Sequence, residues 1–134
     1  MNFIWPVRVY YEDTDSGGVV YYANYLKFME RARTEYLRNL GYEQDALIKN
    51  ENLIFAVRSV QLDYHKPARF NDELNVSANI IEFKKASFLF EQQVTHKQSG
   101  ILLCEGKVRV AALKADSFKA CAIPQSLRES LRVD

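Results

Sequence analysis

What the sequence has little of narrows it first. Cysteine is limited to Cys104 and Cys121, late in the chain and without the spacing of a zinc site or a redox pair. Two free thiols in a reducing compartment are the expectation. No run of about 18 apolar residues is present, so no spanning helix is expected. The first residues lack the basic, apolar, small-residue order of a signal peptide, and a cytoplasmic location follows as an expectation. An excess of one charge is missing too. With 18 basic and 17 acidic residues the formal charge is +1, and no global field draws the chain to nucleic acid or to an anionic membrane.

What is there is globular. Hydrophobic residues make up 48% and charged residues 26% of the 134 positions, enough for one domain, 1–134, with a real core. No internal repeat, linker or low-complexity segment interrupts it.

Val7, Val9 and Tyr11 alternate with Arg8, Tyr10 and Glu12, which predicts a first strand with Pro6 at its first position. The acidic segment that follows breaks the period, and Gly17-Gly18 permits a tight turn or a close ligand approach. From Asn24 the apolar residues Tyr25, Phe28, Met29, Ala32, Tyr36, Leu37 and Leu40 fall at helical spacing, with Gly41 at the C-cap. The opposite side carries Lys27, Glu30, Arg31, Thr34, Glu35 and Arg38, with Arg31-Glu35 and Thr34-Arg38 as expected neighbours. Glu43 to Glu51 predicts a short second helix.

Sheet texture begins at Leu53. Phe55 and Val57, then Val60, Leu62 and Tyr64, predict a long strand whose inward face shifts at a bulge. A turn at Lys66–Asp72 leads to a strand with Leu74, Val76, Ala78 and Ile80. Lys84-Lys85 turns into a strand with Phe88, Phe90, Gln92 and Val94, and Ser99-Gly100 closes that hairpin. Leu102, Cys104, Val108, Val110 and Ala112 supply a fifth strand with Gly106 as a bulge, and Pro124 precedes a short helix over Gln125–Arg132. The order is α+β: a five-stranded antiparallel sheet wrapped around one long helix, whose exposed edge strand invites a second subunit.

The chemistry concentrates where the loop meets the long helix. A helix N-terminus offers N–H groups without acceptors and a partial positive charge, a setting for an oxyanion. An ionised Asp15 beside it would serve as nucleophile or as general base for water, and those parts suffice for acyl transfer from a thioester, whose thiolate leaves readily. Spacing alone leaves alternatives open. Asp13 and Asp15 equally suit turn or capping acids, and Glu12, Asp13 and Asp15 are oxygen ligands by type but lack calcium-loop spacing, so no metal is expected.

The stretch YEDTDSGGVVYYANYLKFMERARTEYL resembles the signature of the hotdog-fold acyl-CoA thioesterases, in the 4-hydroxybenzoyl-CoA thioesterase family, and most closely its YbgC-type branch. The pattern D-x-x-G-x-V-x-Y-x-x-Y is met by Asp15, Gly18, Val20, Tyr22 and Tyr25. The likeness extends over nearly the whole chain. It implies a hotdog fold assembled as a homodimer or homotetramer, a coenzyme A thioester as substrate and no separate cofactor, with an acyl carrier protein as a further possible thiol carrier. By the same resemblance Asp15 is the catalytic aspartate, the backbone N–H of Tyr22 the oxyanion donor, and Gly18 part of the substrate loop. One departure stands out: many YbgC-type sequences have histidine where this chain has Tyr22, and tyrosine there is similar to the hydroxybenzoyl-CoA branch.

Glu30 and Glu35 on the helix are rivals to Asp15, since some hotdog thioesterases take their carboxylate from there, and Asp13 is the next. His65 and His96 lie at strand ends with no partner acid at a telling spacing, and are expected at the surface. For the coenzyme A phosphates Lys84, Lys85 and Ser87 come first, then Arg58, Lys66 and Arg69. The acyl pocket is expected from Tyr22, Tyr25, Phe55, Val57 and Val60, residue types that would equally serve as core. Two other functions fit the same fold: a non-catalytic acyl-CoA or acyl-carrier-protein binder in which Asp15 only caps the helix, and a hydratase or dehydratase, which usually works through a histidine and an acid.

Overall fold

The computed structural model describes residues 3–131. Its elements are β1 (Phe3–Arg8), a turn of 3-10 helix (Tyr11–Asp13), α1 (Asn24–Asn39), α2 (Gln44–Glu51), β2 (Leu53–Tyr64), β3 (Glu73–Phe83), β4 (Ser87–His96), β5 (Leu102–Lys114) and α3 (Gln125–Leu131). The strands form one antiparallel sheet in the order β1-β3-β4-β5-β2, leaving β1 and β2 as its edges. This is the expected α+β hotdog architecture, an antiparallel sheet around a long helix.

The core sits between α1 and the sheet. Phe28, Met29 and Ala32 of α1 are fully buried with Leu74, Val76 and Ala78 of β3 and Phe88 of β4. Burying each large side chain contributes about 1.5–3 kcal/mol, which is why the apolar stripe of α1 dictates its seat. Beyond the helix end, the Tyr42 N–H reaches the Leu37 carbonyl at 2.9 Å and the Gly41 N–H reaches that of Arg38 at 2.9 Å, with Gly41 at φ +93°. That pair of bonds is a Schellman cap, which needs a residue at ease with positive φ. The expected bulge in β2 falls between Val57 and Ser59, where Arg58 is the extra residue.

Four expectations are corrected. The first strand ends at Arg8, and Tyr11, 81% exposed, belongs to the 3-10 turn. The carboxylate of Asp13 accepts the Tyr10 N–H at 2.8 Å and turns the chain away from the sheet. Pro6 lies inside β1, not at its start, and is tolerated because an edge strand bonds to one neighbour only. Gly106 is not a bulge. It pairs in register with Leu62 and Gln92, and a Cβ there would stand 2.2 Å from Leu62 Cδ2 and 2.6 Å from the Gln61 carbonyl oxygen. On the helix surface the expected neighbours are exchanged: Arg38 pairs with Glu35 and Glu43, and the Thr34 hydroxyl donates to Glu30 at 2.6 Å. Arg132, the expected end of the last helix, lies outside the described residues.

Candidate active site

One end of the sheet gathers the loop and the helix start. The segment Thr14–Val20 folds back through a Thr14–Val20 bridge and docks on the turn after β2 through a Val19–Arg69 bridge. The Val20 N–H donates to the Ala68 carbonyl at 2.8 Å, and the Phe70 N–H to that of Gly18 at 3.4 Å. Gly18 holds φ +78°, a conformation that a Cβ disfavours. From the helix side Asn24 donates its side-chain N–H to the Asp13 carbonyl at 2.8 Å, and the buried Tyr25 hydroxyl accepts the Ala68 N–H at 3.0 Å. Burial pushes the Tyr25 phenol above its usual range, so it stays protonated while holding that turn.

Asp15 is held by its own loop. Its N–H donates to the Val19 carbonyl at 2.9 Å, its Oδ1 accepts the Gly17 N–H at 2.8 Å, and its exposed side chain leaves Oδ2 without a partner among the described residues. Asp13 is spent otherwise, one oxygen on Tyr10. At the helix start the Tyr22 carbonyl accepts the Tyr64 hydroxyl at 3.0 Å, while the Tyr22 N–H finds no acceptor among the described residues. Beside it lies a cavity of about 250 Å³ with walls of Val20, Tyr22, Tyr25, Tyr64, Lys66 and Pro67, completed by His65. A free N–H, a carboxylate on the adjoining loop and an apolar aromatic wall can together receive a carbonyl and its developing charge.

The expected acyl residues divide. Tyr22 and Tyr25 line this cavity, whereas Phe55 and Val57 line a second one, of about 200 Å³, under the middle of α1. Val60 lines neither, but shares one face of β2 with them. Their cross-strand partners Cys104, Val108, Val110 and Ala112 are all buried, so Tyr64, Val60, Val57 and Phe55 point to the face that carries α1.

The cations divide as well. Lys66 lines the helix-start cavity, Arg69 sits on the docked turn, and Arg58 is exposed at the β2 bulge. Lys84 and Lys85 lie at the other end of the sheet. Their turn joins β3 to β4, whose first residue Ser87 faces Ala111 of β5, whereas Tyr64 faces Cys104, seven residues along β5 or about 23 Å at about 3.3 Å per residue. Ser87 is 4% exposed and is removed from any phosphate role. Within one protomer that hairpin and the helix start are separate.

Three long-range contacts escaped the sequence reading. Each histidine has an acid partner after all: His65 Nε2 is 2.8 Å from Glu105 and His96 Nε2 is 3.6 Å from Asp72, pairs made across strands and invisible to local spacing. Both His65 and Glu105 keep about two fifths of their side chains exposed, at 42% and 40%. Arg33, on the core face of α1, is 9% exposed and donates through Nη1 to Gln92 at 3.0 Å. Burial lowers its proton affinity, and the field of Glu30 opposes that shift. Met29, Arg33 and Leu37 are four residues apart, so the helical period itself placed Arg33 on the buried face.

No helix among the described residues is long and apolar enough to cross a membrane, and no three His, Cys, Asp or Glu side chains among them converge as a metal ion would need.

Comparison with known proteins identifies the family. Residues 9–131 match the profile of the Thioesterase-like superfamily. A Haemophilus influenzae protein named acyl-CoA thioesterase YbgC is 44% identical over 95% of this chain and 92% of its own. The Escherichia coli acyl-CoA thioester hydrolase YbgC is 43% identical over 93% and 92%. Among solved structures, a probable thioesterase from Bartonella henselae superposes with a TM-score of 0.86 at 33% identity, covering 92% of this chain and 100% of that one. The chain belongs to the thioesterase-like superfamily and, within it, to the YbgC acyl-CoA thioesterases.

Proposed function

We propose that the protein hydrolyses an acyl-CoA thioester to the free acid and coenzyme A, with the carbonyl bound at the start of α1. The observation that carries the reading is the Tyr22 N–H, left without an acceptor beside an aromatic cavity and one loop away from the unpartnered Oδ2 of Asp15. Polarised by that N–H, the carbonyl carbon is attacked either by water that Asp15 deprotonates, giving the acid directly, or by Asp15 itself, giving an acyl-aspartyl anhydride that water then hydrolyses; the tetrahedral oxyanion is held at the helix start, and the thiolate leaves. Coenzyme A is the substrate's carrier in this scheme, and carboxylate, N–H and water complete the chemistry without a cofactor.

Lys66, at the rim, is the cation best placed to meet a coenzyme A phosphate from the same protomer. Lys84 and Lys85 serve that role only from a second copy. Assembly through β2 is the arrangement we favour, as a dimer or as a tetramer made of two such dimers: this edge strand leaves Val57 50% and Val60 41% exposed on the helix-bearing face. A cytoplasmic enzyme acting on a diffusible thioester fits the same reading.

The test is a panel of acyl-CoA esters with a free-thiol assay, comparing the wild type with Asp15→Asn once both are shown to be folded. A loss of about a hundredfold or more in turnover with substrate binding kept is the expected result for a general base or nucleophile. Unchanged turnover sinks the role of Asp15 and moves attention to Glu30 and Glu35. Binding without any thiol release in the wild type would make the chain a binding module, and water addition to an unsaturated acyl chain without thiol release would make it a hydratase.

A further inference from the structure

The cavity under the middle of α1 holds a guanidinium that has no ion-pair partner among the described residues. Arg33 lines it, 9% exposed, between an apolar wall of Phe55, Val57, Phe88 and Phe90 and a polar rim of Glu30, Thr34 and Gln44. Its one hydrogen bond runs from Nη1 to the amide oxygen of Gln92, which is itself buried. No carboxylate forms an ion pair with it among the described residues. Glu30, also on the cavity wall, gives one oxygen to the Thr34 hydroxyl at 2.6 Å. Gln44 in turn donates to Thr34 at 3.2 Å. Glu30 acts on this cation only through its field, no carboxylate being paired with it among the described residues, and the four remaining N–H donors of the guanidinium make it a receptor for oxygen.

The cavity also lies where a substrate extends. Tyr64 at the helix-start cavity and Phe55 and Val57 at this one share the face of β2 that carries α1, with the exposed Val60 between them. From Asn24 to Arg33 the helix advances nine residues, about 14 Å at 1.5 Å per residue. An extended alkyl chain covers that with about ten or eleven carbons, each C–C bond of about 1.5 Å advancing somewhat less than its length.

We infer that this cavity seats the distal end of the acyl group, and that Arg33 binds an oxygen there, a terminal carboxylate before a terminal hydroxyl. The assignment rests on the thioester carbonyl lying at the start of α1. It makes Arg33 a specificity-determining residue and the preferred substrate a medium-chain acyl-CoA with an oxygenated far end.

The experiment compares decanoyl-CoA, its ω-hydroxy derivative and the mono-CoA thioester of sebacic acid, of equal chain length, by kcat/KM in the wild type, Arg33→Met and Arg33→Lys. The wild type is expected to favour the carboxylated ester at least tenfold over decanoyl-CoA, carried mostly by KM. Arg33→Met should abolish that preference, and Arg33→Lys should restore part of it. If Arg33→Met does not fold, Val57→Trp, which fills the cavity from the edge strand and spares the Arg33–Gln92 bond, should abolish the preference instead. Indifference of the wild type to the terminal group overturns the inference, as does an equal fall on all three esters in Arg33→Met. It is also overturned if folded Val57→Trp keeps the preference, whatever its oligomeric state. Butyryl-CoA, too short to reach Arg33, separates the two levels: its hydrolysis alongside indifference to the far end leaves the site at the helix start standing, whereas failure to hydrolyse any ester refutes that site itself.

Discussion

The hydroxyl of Tyr64 donates a hydrogen bond to the carbonyl of Tyr22 at 3.0 Å, tying the last residue of β2 to the peptide that enters α1. The two rings meet edge to face with centroids 6.3 Å apart, and Tyr64 packs on Tyr25 in the same manner at 5.6 Å. The strand thereby sets where the helix begins, and with it the direction of the Tyr22 N–H.

Tyr64→Phe keeps the ring and removes that bond. A neutral hydrogen bond contributes about 0.5–1.5 kcal/mol net, which corresponds to a fall in kcat/KM of roughly two- to twelvefold if the bond is fully expressed in the transition state. Steady-state kinetics on an acyl-CoA ester, with thermal unfolding as the control for fold, measure it. A loss as large as that of Asp15→Asn would mean that the phenol itself touches the reacting atoms.

Gly106→Ala tests how closely β2 approaches β5. The added methyl meets Leu62 Cδ2 at 2.2 Å, which a rotamer change relieves, but also the Gln61 carbonyl oxygen at 2.6 Å, which only a backbone shift relieves. Overpacking of that kind costs about 1–3 kcal/mol, and a lowered denaturant midpoint with an unchanged slope is the expected outcome. Because β2 also frames both cavities, activity should fall further than stability alone explains.

How much of this was legible in the sequence depends on whether the cause was local. The stripe from Tyr25 to Leu40, Gly41 at its end and the alternation through β3, β4 and β5 are local patterns, and the structure keeps them. Tyr11 misled because aromatic residues continue the alternation after the strand has stopped; what stops it is a bond from the Tyr10 N–H to the Asp13 carboxylate that periodicity does not register. Gly106 was ambiguous for a different reason, since a bulge and a close cross-strand approach both call for glycine. Asp15 and Tyr22 stood out through a motif. Tyr64, Arg33 and the pairing of His65 with Glu105 depend on contacts across 40 or more residues and emerge only once the strands are in register.

Cys104 gives the protein a predictable alkaline limit. Its thiol is buried between β2 and β4, and burial, with the fields of Asp63 and Glu105, pushes its pKa up from 9.0 to about 12. The folded state therefore holds this proton more tightly than the unfolded chain does. Its contribution is fully present below about pH 9 and is lost as pH rises towards about 12. The phenols of Tyr25 and Tyr64, raised chiefly by burial, add to the same trend. Denaturant unfolding measured at intervals from neutral to strongly alkaline pH should show stability falling over that window. Thiol-specific reagents near pH 8 should label Cys121, half-buried, well before Cys104.

Gln92 supplies polar contacts to α1 and to the sheet at once. Fully buried on β4, it accepts from Arg33 Nη1 at 3.0 Å and donates to the carbonyls of Met29 at 3.0 Å and Ser77 at 3.1 Å. Gln92→Leu has nearly the right shape but strands a buried cation and leaves two carbonyls without that donor. A hydrogen bond to a charged group contributes about 1.5–3 kcal/mol, at the upper end of the usual effect of a point substitution. Gln92→Glu keeps the acceptor towards Arg33 and supplies the counter-charge, but as a carboxylate it loses both donors and faces two carbonyl oxygens. Chemical denaturation should rank wild type above Gln92→Glu and Gln92→Glu above Gln92→Leu if the guanidinium is the more demanding partner, and should invert the two variants if the carbonyls of Met29 and Ser77 are.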